Sequence, residues 1–133
     1  MSVALEHHFT AEPLSPVLGA SIVGLDLREP LPGTTKRAVY DAFIQYHVLC
    51  FRDQHLDHDQ QIAFSQQFGA LERHMAMNRG TVQERFVYRH KWTLGDLLMW
   101  DNRCLLHRAN TNFDAARFPR VLQRTCLRGT APT

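Results

Sequence analysis

The stretch Asp53-Gln54-His55-Leu56-Asp57-His58-Asp59-Gln60-Gln61 holds the one His-x-Asp triplet of the chain, His55 and Asp57. On an extended segment, side chains two residues apart point the same way. Joined by a remote histidine, such a pair makes the two-His-one-carboxylate set that binds non-haem Fe(II) and leaves positions open for oxygen chemistry. The same residues also have a structural use. Asp57 stands three positions before Gln60, ahead of an apolar-periodic segment, which is the pattern of a capping box. The spacing therefore predicts that Asp57 caps a helix and that His55 lies in the loop before it.

The elements around that stretch follow from periodicity. Residues 1–17 are polar and carry prolines, so they read as a poorly ordered lead-in. "LGASIVGLDL" (18–27) reads as a strand between glycines, and "REPLPG" (28–33) as a turn-rich connection. Thr34 or Thr35 can cap a helix running to about His47, with Val39, Phe43 and Tyr46 at i, i+4, i+7 on its apolar face. "VLCFR" (48–52) reads as a buried strand. The helix after Asp57 carries Phe64 and Phe68 and ends at Gly69. Residues 70–85 are the least patterned. "RFVYRHKW" (85–92) alternates as a strand does, "TLGD" (93–96) reads as a turn, and "LLMWDN" (97–102) and "CLLHRAN" (104–110) are apolar runs with polar ends. "RVLQRTCLRG" (120–129) alternates again. Short antiparallel strands in the C-terminal half suggest a sandwich or jelly roll.

Bulk numbers narrow the class. At 133 residues the chain suits one domain, and with 44% hydrophobic and 21% charged residues it resembles soluble globular proteins. A net charge of +2 is too small to argue for a nucleic-acid surface. The N-terminus reads as no signal peptide, and no apolar run approaches the length of a membrane span. Three cysteines (Cys50, Cys104, Cys126), odd in number and without CxxC spacing, suit free thiols in the cytoplasm. Eight histidines justify a search for metal sites.

"GDLLMWDNRCLLHRAN" (95–110) is the most specific segment. It sets His107 at the end of a buried apolar run, and "RVLQRT" follows with Arg120 and Arg124 four apart. On these residues, with "LGASIVGLDL", "VLCFRDQ" and "QQIAFSQQFGALERH", the chain resembles the TauD/TfdA family of Fe(II)- and 2-oxoglutarate-dependent dioxygenases. The resemblance implies an α+β fold: a partial double-stranded β-helix (jelly roll) with N-terminal helices packed on the sheet. It implies an oxidoreductase with Fe(II) and 2-oxoglutarate as cofactors. It matches His107 to the distal iron ligand and Arg120 to the guanidinium that grips the 2-oxoglutarate carboxylate. It matches Arg124 and His74 to groups that bind the anionic part of a small organic substrate. Trp100, Asp101 and Asn102 belong to the same signature.

Each residue also has a plainer use. His107 could be a strand-end histidine, Arg120 and Arg124 solvated sheet charges, His74 a loop residue, and Asp101 a turn closer. His7, His8, His47, His58 and His90 have no spacing that asks for metal.

The resemblance departs at one place. The family carries a central segment with its own His-x-Asp or His-x-Glu pair, and here the two matching blocks meet across "MAMNRGTVQ" (75–83). The expectation is a single domain over residues 1–133, internally shortened near 75–83. One histidine alone does not hold Fe(II) against competing metals, and opened sheet edges imply a marginal monomer, a homo-oligomer (a dimer that completes the sheet) or a remnant that is not stably folded. Three functions stand open: a compact dioxygenase acting on a small anionic substrate, a non-catalytic remnant of that family lacking a complete iron site, and a different histidine-based metal module. None involves nucleic acid or membrane.

Overall fold

The structure is a computed structural model, and it describes residues 9–71, 84–103, 105, 107, 114–119 and 121–128. In chain order it forms β1 (Thr10–Pro13), β2 (Ala20–Val23), α1 (Gly33–Tyr46), β3 (Val48–Phe51), α2 (His58–Gln66), a 3-10 turn (Glu84–Phe86) and β4 (Leu97–Trp100). The strands make one mixed sheet in the order β1-β2-β3-β4. β2 and β3 are parallel, with Ala20 opposite Leu49 and Ile22 opposite Phe51. A parallel pair needs a crossover, and α1 supplies it. The outer pairs are antiparallel: Thr10 faces Val23, and Val48 faces Trp100.

The core sits under the βαβ unit. β3 is buried along its whole length, because it is flanked by β2 and β4 and α1 packs on it. That is why Val48-Leu49-Cys50-Phe51 is an unbroken apolar run and not an alternating one. Ile22, Leu27, Val39, Leu49, Phe51 and Phe64 close the core. Each such side chain contributes about 1.5–3 kcal/mol by leaving water. Phe51 meets Phe64 edge-on at 5.5 Å, and Phe64 meets Phe68 at 5.3 Å.

Side chains fix the connections. Gln54 accepts the Leu27 N–H through Oε1 and donates Nε2 to the Leu25 and Arg52 carbonyls, each at 2.9 Å, so one amide locks the 25–27 loop to the end of β3. Gln67 Oε1 accepts the Leu31 N–H. The 93–96 turn closes with Asp96 N–H on the Thr93 carbonyl. Gly95 is required there twice over. Its φ is +89°, and a Cβ would strike the His55 ring at 2.8 Å.

Several expectations hold. β2, β3 and β4 form where apolar runs predicted strands. Asp57 caps α2 in a complete capping box: it accepts the Gln60 N–H at 2.7 Å, and Gln60 Oε1 accepts the Asp57 N–H at 3.0 Å. Others need correction. Residues 10–13, expected as loose lead-in, form β1; Pro13 is tolerated because an edge strand is paired on one side only. α1 is capped at Pro32 without a side-chain bond, so neither Thr34 nor Thr35 is the cap; Thr35 is buried instead. α2 ends at Gln66, before Gly69. Residues 85–92 are not a strand. After the 3-10 turn they run irregularly, held by side chains. Among the described residues, 121–128 make a single bridge, Leu127 to Leu71, because their backbone groups bond to α2 and its exit. Among the described residues, no helix is long and apolar enough to cross a membrane.

Candidate functional site

β4 ends at Trp100, and the chain then turns on Asp101. This carboxylate is buried. It accepts the Arg103 backbone N–H and Nε at 2.9 Å each, with Arg103 Nη2 at 2.8 Å. The guanidinium of Arg103 holds the Asp101 carboxyl below the usual carboxylate range. Asp101 is thus the turn closer of the plainer reading, and its own N–H donates to the His47 carbonyl, which pins the turn to the sheet. Trp100 Nε1 donates to Asn102 Oδ1 at 2.8 Å.

The turn delivers His107 back to the indole, with ring centroids 4.8 Å apart. The second component arrives from residues 121–128. Gln61 Nε2 donates to the Gln123 carbonyl at 3.2 Å, Ser65 and Thr125 share a hydroxyl hydrogen bond of 2.6 Å, and the Arg128 N–H donates to the Ala70 carbonyl at 2.8 Å. With residues on both sides tied to α2 and its exit, Arg124 extends to His107. Its Nη2 lies 3.4 Å from His107 Nε2, and its Cζ lies 5.4 Å from the centre of the Trp100 ring. The half-buried Trp100 and the exposed His107 and Arg124 therefore form one cluster that offers a cation, an imidazole and an aromatic face. A guanidinium pairs with a carboxylate through parallel N–H bonds, and the indole gives an aromatic body a surface to lie on.

The structure therefore brings together two of the residues singled out in the sequence, His107 and Arg124. Arg120 and His74 lie outside the described residues. His55 and Asp57 do not join the cluster. Asp57 is occupied as the cap, and His55 bonds Asp53 Oδ1 at 2.6 Å and packs against Gly95.

Iron does not fit what is described around His107. Among the described residues, His107 belongs to no group of three donors that could converge on one ion. Its Nε2 faces a permanent cation at 3.4 Å, which repels a metal at that position.

Three donors do converge elsewhere. Cys50 of β3, His90 and Asp96 place one ligand atom each within 4.8 Å of one another. His90 Nε2 lies 3.1 Å from Asp96 Oδ2 and 4.0 Å from Cys50 Sγ, and its Nδ1 lies 2.8 Å from the Tyr88 hydroxyl. Trp92 meets the His90 ring edge-on at 4.8 Å. Asp96 also takes Arg52 as an ion pair and the Thr93 N–H at 2.9 Å. The carboxylate is fully buried and the imidazole nearly so, at 6% exposed. Burial pushes the Cys50 thiol up to about 11, with the Asp96 charge adding to it, and burial lowers the proton affinity of His90. Sequence spacing did not reveal this cluster. Cys50 lies 40 residues from His90, and only the folding of 88–96 over β3 joins them.

Residues 10–84 and 78–126 match the family described as taurine catabolism dioxygenase TauD, TfdA family. The chain is 60% identical over 35 residues to the alpha-ketoglutarate-dependent 2,4-dichlorophenoxyacetate dioxygenase of Cupriavidus pinatubonensis, covering 26% of this chain and 12% of that protein. It is 40% identical over 68 residues to the (S)-phenoxypropionate/alpha-ketoglutarate-dioxygenase of Sphingobium herbicidovorans, covering 51% of this chain and 23% of that one. The matched stretches thus span less than a quarter of these relatives. A taurine dioxygenase structure from Burkholderia xenovorans aligns at 35% identity and TM-score 0.48, over 49% of this chain and 24% of that chain. The crystal structure of AAD-2 in complex with Mn(II) and N-oxalylglycine aligns at 37% identity and TM-score 0.47, over 49% and 26%. The family match takes in well over half of the residues, from β1 to the segment that carries Arg124, and on that ground the chain belongs to the TauD/TfdA dioxygenase family.

Proposed function

We propose that this chain is a single, internally shortened TauD/TfdA-type domain that retains the anion-binding wall of an oxygenase pocket and, in isolation, lacks the iron centre needed for turnover. Dioxygenases of this family depend on Fe(II) and 2-oxoglutarate. On this reading, His107 descends from the distal iron ligand and Arg120 from the group that holds the 2-oxoglutarate carboxylate. His74 and Arg124 bind the anionic end of a small organic substrate. The shortening falls at 75–83, and the four-stranded sheet is part of a double-stranded β-helix. The buried thiol of Cys50 fits a cytoplasmic setting.

The observation that carries the reading is the contact of Arg124 with both Trp100 and His107. It supplies a carboxylate partner and an aromatic surface side by side, which suits aryloxyalkanoates, the substrates named for the curated relatives. The test has two arms on the purified, folded chain. Calorimetry with 2,4-dichlorophenoxyacetate should show binding, and Fe(II)-dependent decarboxylation of 2-oxoglutarate should show none. Binding that is absent, or turnover by the monomer, overturns the reading.

A second reading keeps the enzyme, with donors for His107 borrowed from another copy. It is favoured by β4 being the last strand of the described sheet and by the exposure of Phe118, Val121 and Leu122. It requires turnover that rises more steeply than linearly with chain concentration.

A further inference from the structure

The geometry points to a second site, away from the family's pocket, in which Cys50, His90 and Asp96 bind one divalent cation of the zinc class between β3 and the 88–96 segment. Four observations support it.

The first is the donor spacing. Zinc bonds of about 2.0–2.3 Å in a tetrahedron set neighbouring donors roughly 3.3–3.8 Å apart. The observed 3.1 Å from His90 Nε2 to Asp96 Oδ2 and 4.0 Å from Nε2 to Cys50 Sγ bracket that range. All three ligand atoms lie within 4.8 Å of one another, so an approach of the thiol and the carboxylate closes the site.

The second is an unused acceptor. Asp96 Oδ1 is buried with no hydrogen-bond partner among the described residues. An orphaned carboxylate oxygen in a dry site is costly, and a cation satisfies it. Binding through both oxygens, Asp96 keeps the Thr93 N–H on Oδ2.

The third is the shell behind the imidazole. A ligating histidine donates its second N–H to an outer partner that fixes its tautomer. Tyr88 Oη stands 2.8 Å from His90 Nδ1 in that position. Metal binding therefore moves the ring proton from Nε2, where it faces Asp96, to Nδ1, where Tyr88 accepts it. The Cys50 proton is released to solvent.

The fourth is ligand type. One thiolate, one imidazole and one carboxylate suit zinc or cobalt. Calcium and magnesium take oxygen ligands instead. Arg52 opposes the cation, but its side chain is 37% exposed and can swing outward.

The test uses the intact chain, stripped of metal and shown to be folded by circular dichroism. Co(II) is the spectroscopic probe, and Zn(II) is the competitor. One Co(II) should bind per chain with a thiolate-to-cobalt charge-transfer band in the near ultraviolet, and Zn(II) should displace it. Cys50→Ser should lose the band and Cys126→Ser should keep it. Should Cys50→Ser fail to fold, Arg52→Gln decides: removing the neighbouring cation should tighten Co(II) binding about ten-fold. No binding, binding without the band, a band that survives Cys50→Ser, or Arg52→Gln leaving affinity unchanged overturns the site. Because the readouts are spectroscopic, they are independent of whether the chain turns over any substrate.

Discussion

His90 and His107 flank the same strand, β4, and each ring meets a tryptophan at 4.8 Å, yet the rest of their surroundings differ. His107 sits in the family signature, yet the structure gives it an exposed ring beside a guanidinium. His90 has no spacing to commend it, yet it is buried between a thiol, a carboxylate and a phenol. The difference separates ancestry from capacity. A signature records what a residue once did among partners, and only the partners present decide what it can hold now. For His107 no three-donor group forms among the described residues, and on the proposed reading its cluster takes an anion. For His90 the partners were assembled by packing, with no motif to announce them.

The contrast can be broken by measurement. The largest effect is expected at Asp96→Ala in metal-free protein. It removes the acceptor shared by Arg52, His90 and the Thr93 N–H and should lower the unfolding free energy by about 2–4 kcal/mol. His107→Ala should change it by no more than about 0.5 kcal/mol. Comparable urea midpoints for the two variants would erase the distinction. Next, Arg124→Ala should weaken aryloxyacetate binding about ten-fold, roughly 1.4 kcal/mol, with Arg28→Ala as a control cation that leaves it unchanged. Then Asp57→Ala should cost about 1 kcal/mol through loss of the cap. His55→Ala should cost less, which would confirm that the His-x-Asp triplet is loop and cap.

The smallest effect is a slope with pH. Burial lowers the proton affinity of folded His90, so the unfolded chain binds its proton first. Stability from this group is whole above the ordinary value of 6.5. It starts to fall as the pH drops through that value, and the fall is complete below the folded one. His90→Gln should flatten that part of the profile. An unchanged slope would mean that His90 is not the group responsible.

Legibility followed the range of the forces involved. Asp57 and Gln60 were readable because a capping box is a local exchange of two hydrogen bonds. β3 was readable because burial on both faces demands an unbroken apolar run. β1 was missed because a polar edge strand with Pro13 looks like a tail until β2 is there to pair with it. Residues 85–92 misled by alternating. Tyr88 and His90 do point the same way, but toward Cys50 and Asp96 and not toward a neighbouring strand. Arg124 and His107 were named through the family resemblance, whereas the meeting of Arg124 with Trp100, and its route through Thr125 and Gln123 held on α2, depend on contacts some sixty residues apart that no spacing encodes.

The complete burial of β3 leaves the chain with a gauge of its own integrity. The sulfur of Cys50 is closed to solvent and stays protonated at neutral pH, so an alkylating reagent can reach it only when the strand parts from its neighbours. The pace of its labelling, against that of the half-buried Cys126, would count those openings directly, without denaturant.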